Sequence, residues 1–251
     1  MGPIVFLHIP KTAGQTIHSE LTRLVGSDRV SPVRVHTEAP DGAAQFPPGH
    51  DLYSGHLDWD ALETLPDDRF VFSVFRDPCE RIASFYFYLL KRAQAVSEEE
   101  LQRPERQGMR RIRSQSADAY FFGGDPGWQR FVHDHYDNVY CNYLATRKMR
   151  GWKQVQDLDT AARVAAARAN LPMIDRIYST RDLGALERDI AARFDGQISV
   201  VRKFVNTGGH GDGELRWPKL LERIESDANL RRLEEFAVAD EDLISSLGMK
   251  I

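Results

Sequence analysis

The sequence predicts an α/β fold in which helices flank a central parallel sheet. Two continuous apolar runs, residues 4–9 (IVFLHI) and residues 70–75 (FVFSVF), are typical of strands that are buried on both faces. Each run is followed by apolar residues at helical spacing, and strand, short turn and helix form the opening of a βαβ unit. A chain of 251 residues with 42% hydrophobic content can bury one core, so we expect a single domain over residues 1–251.

Helices are predicted directly after both runs. After the first, apolar residues at Ile17, Leu21 and Leu24 indicate a helix that begins near Gly14. After the second, Asp77 is a suitable N-cap and Pro78 suits a first helical turn. The apolar positions that follow, at i, i+3, i+4, i+7 and i+8 from residue 82, predict a helix face that points to the core.

Three shorter segments are further strand candidates: residues 52–54, 174–179 and 198–201. The stretch 97–171 is mainly helical in pattern, so we expect a helical insertion packed beside the sheet. Ligands of such folds bind beyond the carboxyl ends of the strands. The motifs described below follow strands and therefore fall at that edge.

Composition excludes several classes of function. The net charge of −4 gives no reason to expect a partner nucleic acid, and two cysteines without CxxC spacing indicate neither a disulfide framework nor a zinc site. No apolar run approaches the roughly 18 residues of a membrane span, and the run at residues 4–9 is too short for a signal peptide. The pattern favours a cytoplasmic protein, although a catalytic domain detached from a membrane anchor would have the same sequence.

The first motif, HIPKTAGQT at residues 8–16, connects the first strand to the first helix. A helix start offers free N–H groups and a positive dipole end to a phosphate. Lys11 adds a charge, Gly14 permits close backbone approach, and Thr12 and Thr16 supply hydroxyls. The sequence differs from a GxxxxGK[ST] loop, because its lysine precedes the glycine. The alternative is a polar turn with an ordinary surface lysine.

The second motif, RDPCERIASFY at residues 76–86, begins where the second strand ends. Arg76 is placed where a guanidinium group can bind a phosphate with two hydrogen bonds. On a helical wheel Arg81, Ser84 and Tyr88 lie opposite the apolar face. We interpret Arg81 and Tyr88 as residues of the solvent face, and Arg76 and Ser84 as candidates for phosphate binding.

Together the two motifs resemble those of sulfotransferases, in particular the branch that contains heparan and chondroitin sulfate O-sulfotransferases and their bacterial relatives. The resemblance implies a P-loop-like three-layer fold and the donor 3′-phosphoadenosine 5′-phosphosulfate, with adenosine 3′,5′-bisphosphate as product and no metal. It implies that Arg76 and Ser84 bind the 3′-phosphate and that Lys11 contacts the phosphosulfate and assists the leaving phosphate. The residues around this lysine, implied to bind the same group, are Thr12, Ala13, Gly14, Gln15 and Thr16.

An acceptor hydroxyl must lose a proton as it attacks, so the reaction calls for a base. His56 follows a short strand candidate and has an unperturbed pKa suited to neutral pH. Related enzymes carry a Gly-His pair in this interval, so we favour His56 as catalytic base beside Lys11. Other candidates are His36, His50, Glu38 and Glu20. His133 and His135 are interpreted as structural, because i, i+2 spacing on a helix points them to different faces.

The acceptor is predicted less directly. The resemblance favours a carbohydrate, and an arginine-rich segment at residues 103–113 suggests an acidic polymer bound by Arg111 and Arg113. The alternative is a solvated charged face. Trp128, Trp152 and Trp217 are candidates for stacking on sugar rings or for the core. The glycine-rich residues 207–213 suit either a flap over the nucleotide or a surface loop.

Two other functions are consistent with a phosphate site on this fold. A nucleotide kinase or hydrolase would require a Walker loop and a magnesium-binding aspartate, and the loop is absent. A non-catalytic module would bind the nucleotide without turnover. Competition between adenosine 3′,5′-bisphosphate and ATP with magnesium separates the first alternative from a sulfotransferase.

Overall fold

The computed structural model describes residues 2–203 and 215–251, and the glycine-rich residues 207–213 lie outside these ranges. The described residues form one four-stranded sheet, in which all neighbouring strands are parallel and follow the order β2-β1-β3-β4. The predicted α/β fold with a central parallel sheet is confirmed. The strands are β1 (Ile4–Leu7), β2 (Leu52–Gly55), β3 (Phe70–Phe75) and β4 (Arg176–Ser179).

The thirteen α-helices of the described residues surround this sheet. They are α1 (Gly14–Val25), α2 (Pro78–Gln94), α3 (Glu98–Leu101), α4 (Gln107–Ser114), α5 (Ala117–Phe122), α6 (Pro126–Tyr136), α7 (Val139–Thr146), α8 (Trp152–Val155), α9 (Thr160–Ala169), α10 (Leu183–Arg193), α11 (Val200–Lys203), α12 (Trp217–Leu221) and α13 (Asp227–Ser246).

The helices after β1 and β3 begin where the sequence predicts. Helix α1 begins at Gly14, and α2 begins at Pro78 with Asp77 as its N-cap. The Asp77 carboxylate accepts a hydrogen bond of 2.8 Å from the N–H of Glu80, which satisfies one of the free donors of the first turn.

Side chains on the two faces of the sheet bury separate apolar clusters. On one face Phe6 and Phe72 pack with residues of α1 and α10, while on the other Val5 and Phe75 pack with residues of α7 and α13. Strands with apolar residues on both faces require cover on both sides, and this gives three layers. A third cluster joins α2 to α5, α6 and α13. No described helix is long and apolar enough to cross a membrane.

The regular structure of the predicted insertion consists of helices among the residues that the structure describes. Helices α3 to α9 lie between α2 and β4, and they span Glu98 to Ala169. They bring α6 and α7 over the polar side of α2, where the side chain of Arg81 donates to the carbonyl of His135 at 2.7 Å. The insertion therefore covers Arg81, a residue that the sequence suggested is exposed.

The strand prediction for residues 198–201 is wrong, because Val200–Lys203 forms the short helix α11. Carboxylates satisfy the backbone at its start: Glu20 accepts from the N–H of Ser199 and Glu187 from that of Val201, each at 2.8 Å. Val200 is buried whereas Val201 is 55% exposed. The carboxylates supply the hydrogen bonds that a neighbouring strand would otherwise provide, so this backbone is satisfied without a place in the sheet.

Candidate functional site

A cavity of about 550 Å³ opens at the carboxyl ends of β1, β2 and β3. Both sequence motifs reach it. The predicted site residues that line it are Lys11, Ala13, Gly14, Gln15, Thr16, His56, Arg76 and Ser84. Thr12 does not line the cavity, since its buried hydroxyl donates to the carbonyl of Ile9 at 2.8 Å and so holds the loop from within.

The loop between β1 and α1 has an unusual backbone. Lys11 and Ala13 adopt positive φ angles of 76° and 67°, which place non-glycine residues in the left-handed region. Ala13 is also the N-cap of α1, and among the described residues no side chain caps this helix start. Residues in sparsely populated conformations cluster at functional sites, and consecutive turned N–H groups form a concavity suited to an anion.

Gly14 allows this loop to approach the sheet. A Cβ atom at this position would lie 1.8 Å from Nε2 of His8, which is itself buried at the end of β1. The ring of His8 stacks between Phe6 and His56, with centroid distances of 5.3 and 4.4 Å. The loop can therefore pack closely on the His8 imidazole only because residue 14 has no side chain.

Three cationic side chains converge on one end of the cavity: Lys11, Arg76 and Arg216. Burial, followed by the charges of Arg216 and Arg76, lowers the pKa of Lys11 to about 8. The Lys11 ammonium also lies 4.0 Å from the centroid of the Tyr88 ring. Like charges that are brought together repel one another, so a bound anion would be favoured at this end of the cavity.

Helix α2 contributes Ser84 and Tyr88 to the cavity wall. Tyr88 is 37% exposed, as the solvent-face prediction implies, although its ring also contacts Lys11. The same prediction is wrong for Arg81, which is 1% exposed. Burial lowers the pKa of Arg81, and its guanidinium donates to backbone carbonyls at the end of α6.

His56 follows β2 and has a defined tautomer. Its Nδ1–H donates to the carbonyl of His8 at 2.7 Å, so Nε2 carries the free lone pair. Burial lowers the pKa of His56, and the charges of Arg34 and His36 lower it further. The neighbouring Gly55 is required for packing, because a Cβ there would lie 2.1 Å from the Arg34 carbonyl oxygen. A neutral imidazole with a free Nε2 can accept a proton.

The other predicted bases are differently placed. His36 lines the cavity, whereas His50, Glu38 and Glu20 do not. Glu38 accepts from the N–H groups of Arg34 and Val35 at 2.8 and 3.0 Å. Glu20 is buried on α1, where hydrogen bonds from Lys203, Ser199 and Arg23 hold the pKa of its carboxyl at about 2 against the opposing effect of burial.

Arg111 and Arg113 do not line the cavity. Arg111 pairs with Asp125 at 2.8 Å and Arg113 pairs with Glu98, both within the insertion. The tryptophans considered for sugar stacking all pack within the protein: Trp128 and Trp217 belong to the cluster around α2, and Trp152 stacks on His133 at 4.2 Å.

Several residues that line the cavity were not predicted from the sequence: His8, Arg34, Lys91, Asp134, His135, Arg150 and Arg216. His8 was part of the first motif, so its place at the strand end offered a signal. Arg34 and Arg216 lie outside both motifs, and only the folded chain brings them to the site. No group of three or more His, Cys, Asp or Glu side chains in the described parts of the chain is arranged to hold a metal ion.

The parallel sheet, the turned loop before α1 and the converging cations define an α/β protein with a cationic cavity at its strand ends. The sequence matches the model of the sulfotransferase family over residues 2–184, and the chain belongs to this family. It is therefore a transferase of sulfuryl groups. A search of curated proteins returned no match.

Proposed function

We propose that this protein transfers the sulfuryl group of 3′-phosphoadenosine 5′-phosphosulfate to a carbohydrate hydroxyl, with His56 as the base. The observation that carries the proposal is the pairing, in one cavity, of a cationic end with a neutral histidine. The donor carries anionic groups at both ends, so its binding requires the cationic end of the cavity. The acceptor hydroxyl must lose a proton, so the reaction requires the neutral histidine.

The residues present fit the donor. The turned loop and the uncapped start of α1 offer N–H groups to the 5′-phosphosulfate, and Lys11 supplies a positive charge beside them. Arg76 and Ser84 line the same cavity from β3 and α2 and suit the 3′-phosphate. Burial and then the charges of Arg216 and Arg76 lower the pKa of Lys11, and a bound anion would offset the repulsion among these cations.

The bound donor supplies a sulfuryl group whose bond to the 5′-phosphate oxygen breaks as the acceptor oxygen bonds to sulfur. Lys11 stabilises the negative charge that develops on this phosphate oxygen. His56 accepts the acceptor proton at Nε2, while His8 keeps Nδ1 occupied. These roles for Lys11 and His56 require only residues that line the cavity.

The part of the cavity around His56 is suited to the acceptor. The charges of Arg34 and His36 act on His56, and Arg150, Val35 and Met149 line the same cavity. Cationic groups beside the base favour an acceptor with its own negative charge, such as a uronate-containing saccharide. Arg111 and Arg113 stay candidates only for parts of a polymer beyond the reacting sugar, because they lie outside the cavity.

The test is transfer of a radiolabelled sulfuryl group from the donor, without added metal, to a panel of acceptors. The panel contains a uronate polysaccharide, a neutral glycan, a tyrosine peptide and a phenol. We expect labelling of the uronate polysaccharide by the wild type and by His50→Asn, which changes a histidine outside the cavity. His56→Ala should abolish most of it.

The other outcomes change the proposal in defined ways. Labelling of the peptide or the phenol alone would reject a carbohydrate acceptor. Donor binding without labelling of any acceptor would favour a binding module. Preference for ATP with magnesium over adenosine 3′,5′-bisphosphate would favour a kinase or hydrolase.

A further inference from the structure

Glu80 connects the second motif to the segment that begins at residue 215. Its Oε1 accepts from the backbone N–H groups of Arg216 and Trp217, each at 2.8 Å. Its Oε2 accepts from the guanidinium of Arg76 at 3.2 Å. Glu80 is only 7% exposed, so one buried carboxylate makes all three contacts.

This carboxylate fixes the backbone from which the Arg216 side chain enters the cavity. Arg216 is 1% exposed, lines the cavity and precedes α12. Arg76, held by the other carboxylate oxygen, reaches the same cavity from the end of β3. Glu80 is therefore a common anchor for the guanidinium of Arg76 and for the backbone of Arg216.

Arg76 and Arg216 lie 140 positions apart along the chain (216 − 76). The common anchor is thus a product of the fold. Arg216 also lies beyond residue 184, where the match to the sulfotransferase family ends.

We infer that Glu80 is a positioning residue that holds Arg76 and Arg216 at the site proposed above for the 3′-phosphate of the donor. Arg216 is then a further cation of that phosphate site. The inference rests on the proposed function. Besides Arg76 and Arg216, the groups that face Lys11 are the ring of Tyr88 and the imidazole of His8. The charge of Arg216 contributes more than that of Arg76 to lowering the pKa of Lys11, which supports its proximity to the ammonium.

The test is calorimetric titration with adenosine 3′,5′-bisphosphate from pH 7 to pH 10, without metal. The proteins are wild type, Arg216→Ala, Glu80→Gln, the double variant, and the control Arg231→Ala, which removes an exposed arginine of α13. We expect at least tenfold weaker binding for Arg216→Ala and binding within twofold of wild type for the control. Glu80→Gln should weaken binding less, and it should have little further effect when Arg216 is already alanine.

The pH at which affinity declines separates positioning from simple loss of charge. Removal of a negative charge alone would lower the pKa of Lys11, so the decline would move to lower pH in Glu80→Gln. Displacement of Arg216 from Lys11 would raise that pKa, and the decline would move to higher pH, as in Arg216→Ala. We expect the upward shift.

A downward shift in Glu80→Gln would overturn the positioning role, and wild-type affinity in Arg216→Ala would overturn the assignment of Arg216. If Glu80→Gln fails to fold, the nucleotide affinity of Arg216→Ala alone tests whether Arg216 belongs to the donor site. Loss of binding in Arg76→Ala together with full binding in Arg216→Ala rejects this inference and leaves the proposed function intact. No binding by the wild type rejects both.

Discussion

The Nδ1 atom of His56 lies 2.7 Å from the carbonyl oxygen of His8. This hydrogen bond fixes the His56 tautomer, and it links the end of β2 to the end of β1. Because the donor loop begins at the same strand end, the proposed base and the proposed donor site share one rigid support.

The first prediction concerns His56→Ala. Loss of a positioned base should lower turnover by roughly 10²–10⁴-fold while affinity for adenosine 3′,5′-bisphosphate stays within about threefold. Steady-state transfer assays and calorimetry measure the two quantities, with His50→Asn as the matched control. Near-normal turnover would move the base role to another group, with His36, which lines the same cavity, the first to be tested.

The second prediction concerns Lys11 and pH. Burial and the neighbouring arginines lower the pKa of Lys11 to about 8, so its charge is lost as pH rises through this value. Affinity for the nucleotide should therefore decline above about pH 8 in the wild type. Lys11→Arg keeps its charge, and its affinity should stay level to at least about pH 10. The same decline in both proteins would show that another group is responsible.

The third prediction concerns Gly14→Ala. The new Cβ would lie 1.8 Å from the His8 ring, so we expect a loss of roughly 1–3 kcal/mol in the free energy of unfolding. Adding His8→Ala removes the clash and should recover part of this loss, as chemical denaturation can measure. Gly108→Ala is the control, because its Cβ would meet only ordinary contacts at 3.5 Å. Equal stability of Gly14→Ala and wild type would contradict the close packing.

The fourth prediction concerns Asp240, a fully buried carboxyl on α13. Burial raises its pKa to about 6, against the opposing effect of hydrogen bonds from Tyr140 and Cys141. The folded state thus favours the protonated form, so this contribution to stability is present below about pH 4 and is lost as pH rises to about 6. Asp240→Asn should flatten the dependence of unfolding free energy on pH in this window. An unchanged slope would contradict the raised pKa.

The fifth prediction concerns Arg111 and Arg113. The double alanine variant should raise the Michaelis constant for a long acidic polymer and spare both nucleotide affinity and short acceptors, because neither residue lines the cavity. Transfer assays with saccharides of increasing length measure this. Unchanged kinetics with the longest acceptor would remove the two arginines from acceptor binding.

The sequence was most informative where local pattern determines structure. The apolar runs at β1 and β3 predicted buried strands, and Asp77 with Pro78 predicted the start of α2. The two motifs likewise placed Lys11 and Arg76 at the strand ends, where both line the cavity. Strand, cap and turn signals depend on neighbours in the chain, so they can be seen without the fold.

Features set by tertiary contacts were missed. Arg81 looked solvent-exposed because the cover provided by α6 and α7 is distant in sequence. Residues 198–201 looked like a strand because the carboxylates of Glu20 and Glu187 that support a helix there come from other elements. The role of Arg216 in lining the cavity could not be predicted either, because its backbone is held there by Glu80, which is distant in the sequence.

The most direct test of the central claim is calorimetric titration of wild type and Arg76→Ala with adenosine 3′,5′-bisphosphate in the absence of metal. We expect micromolar binding by the wild type that is lost in Arg76→Ala, with both proteins folded. Absence of binding to the folded wild type would contradict the proposed donor site, because the converging cations would then not bind this nucleotide.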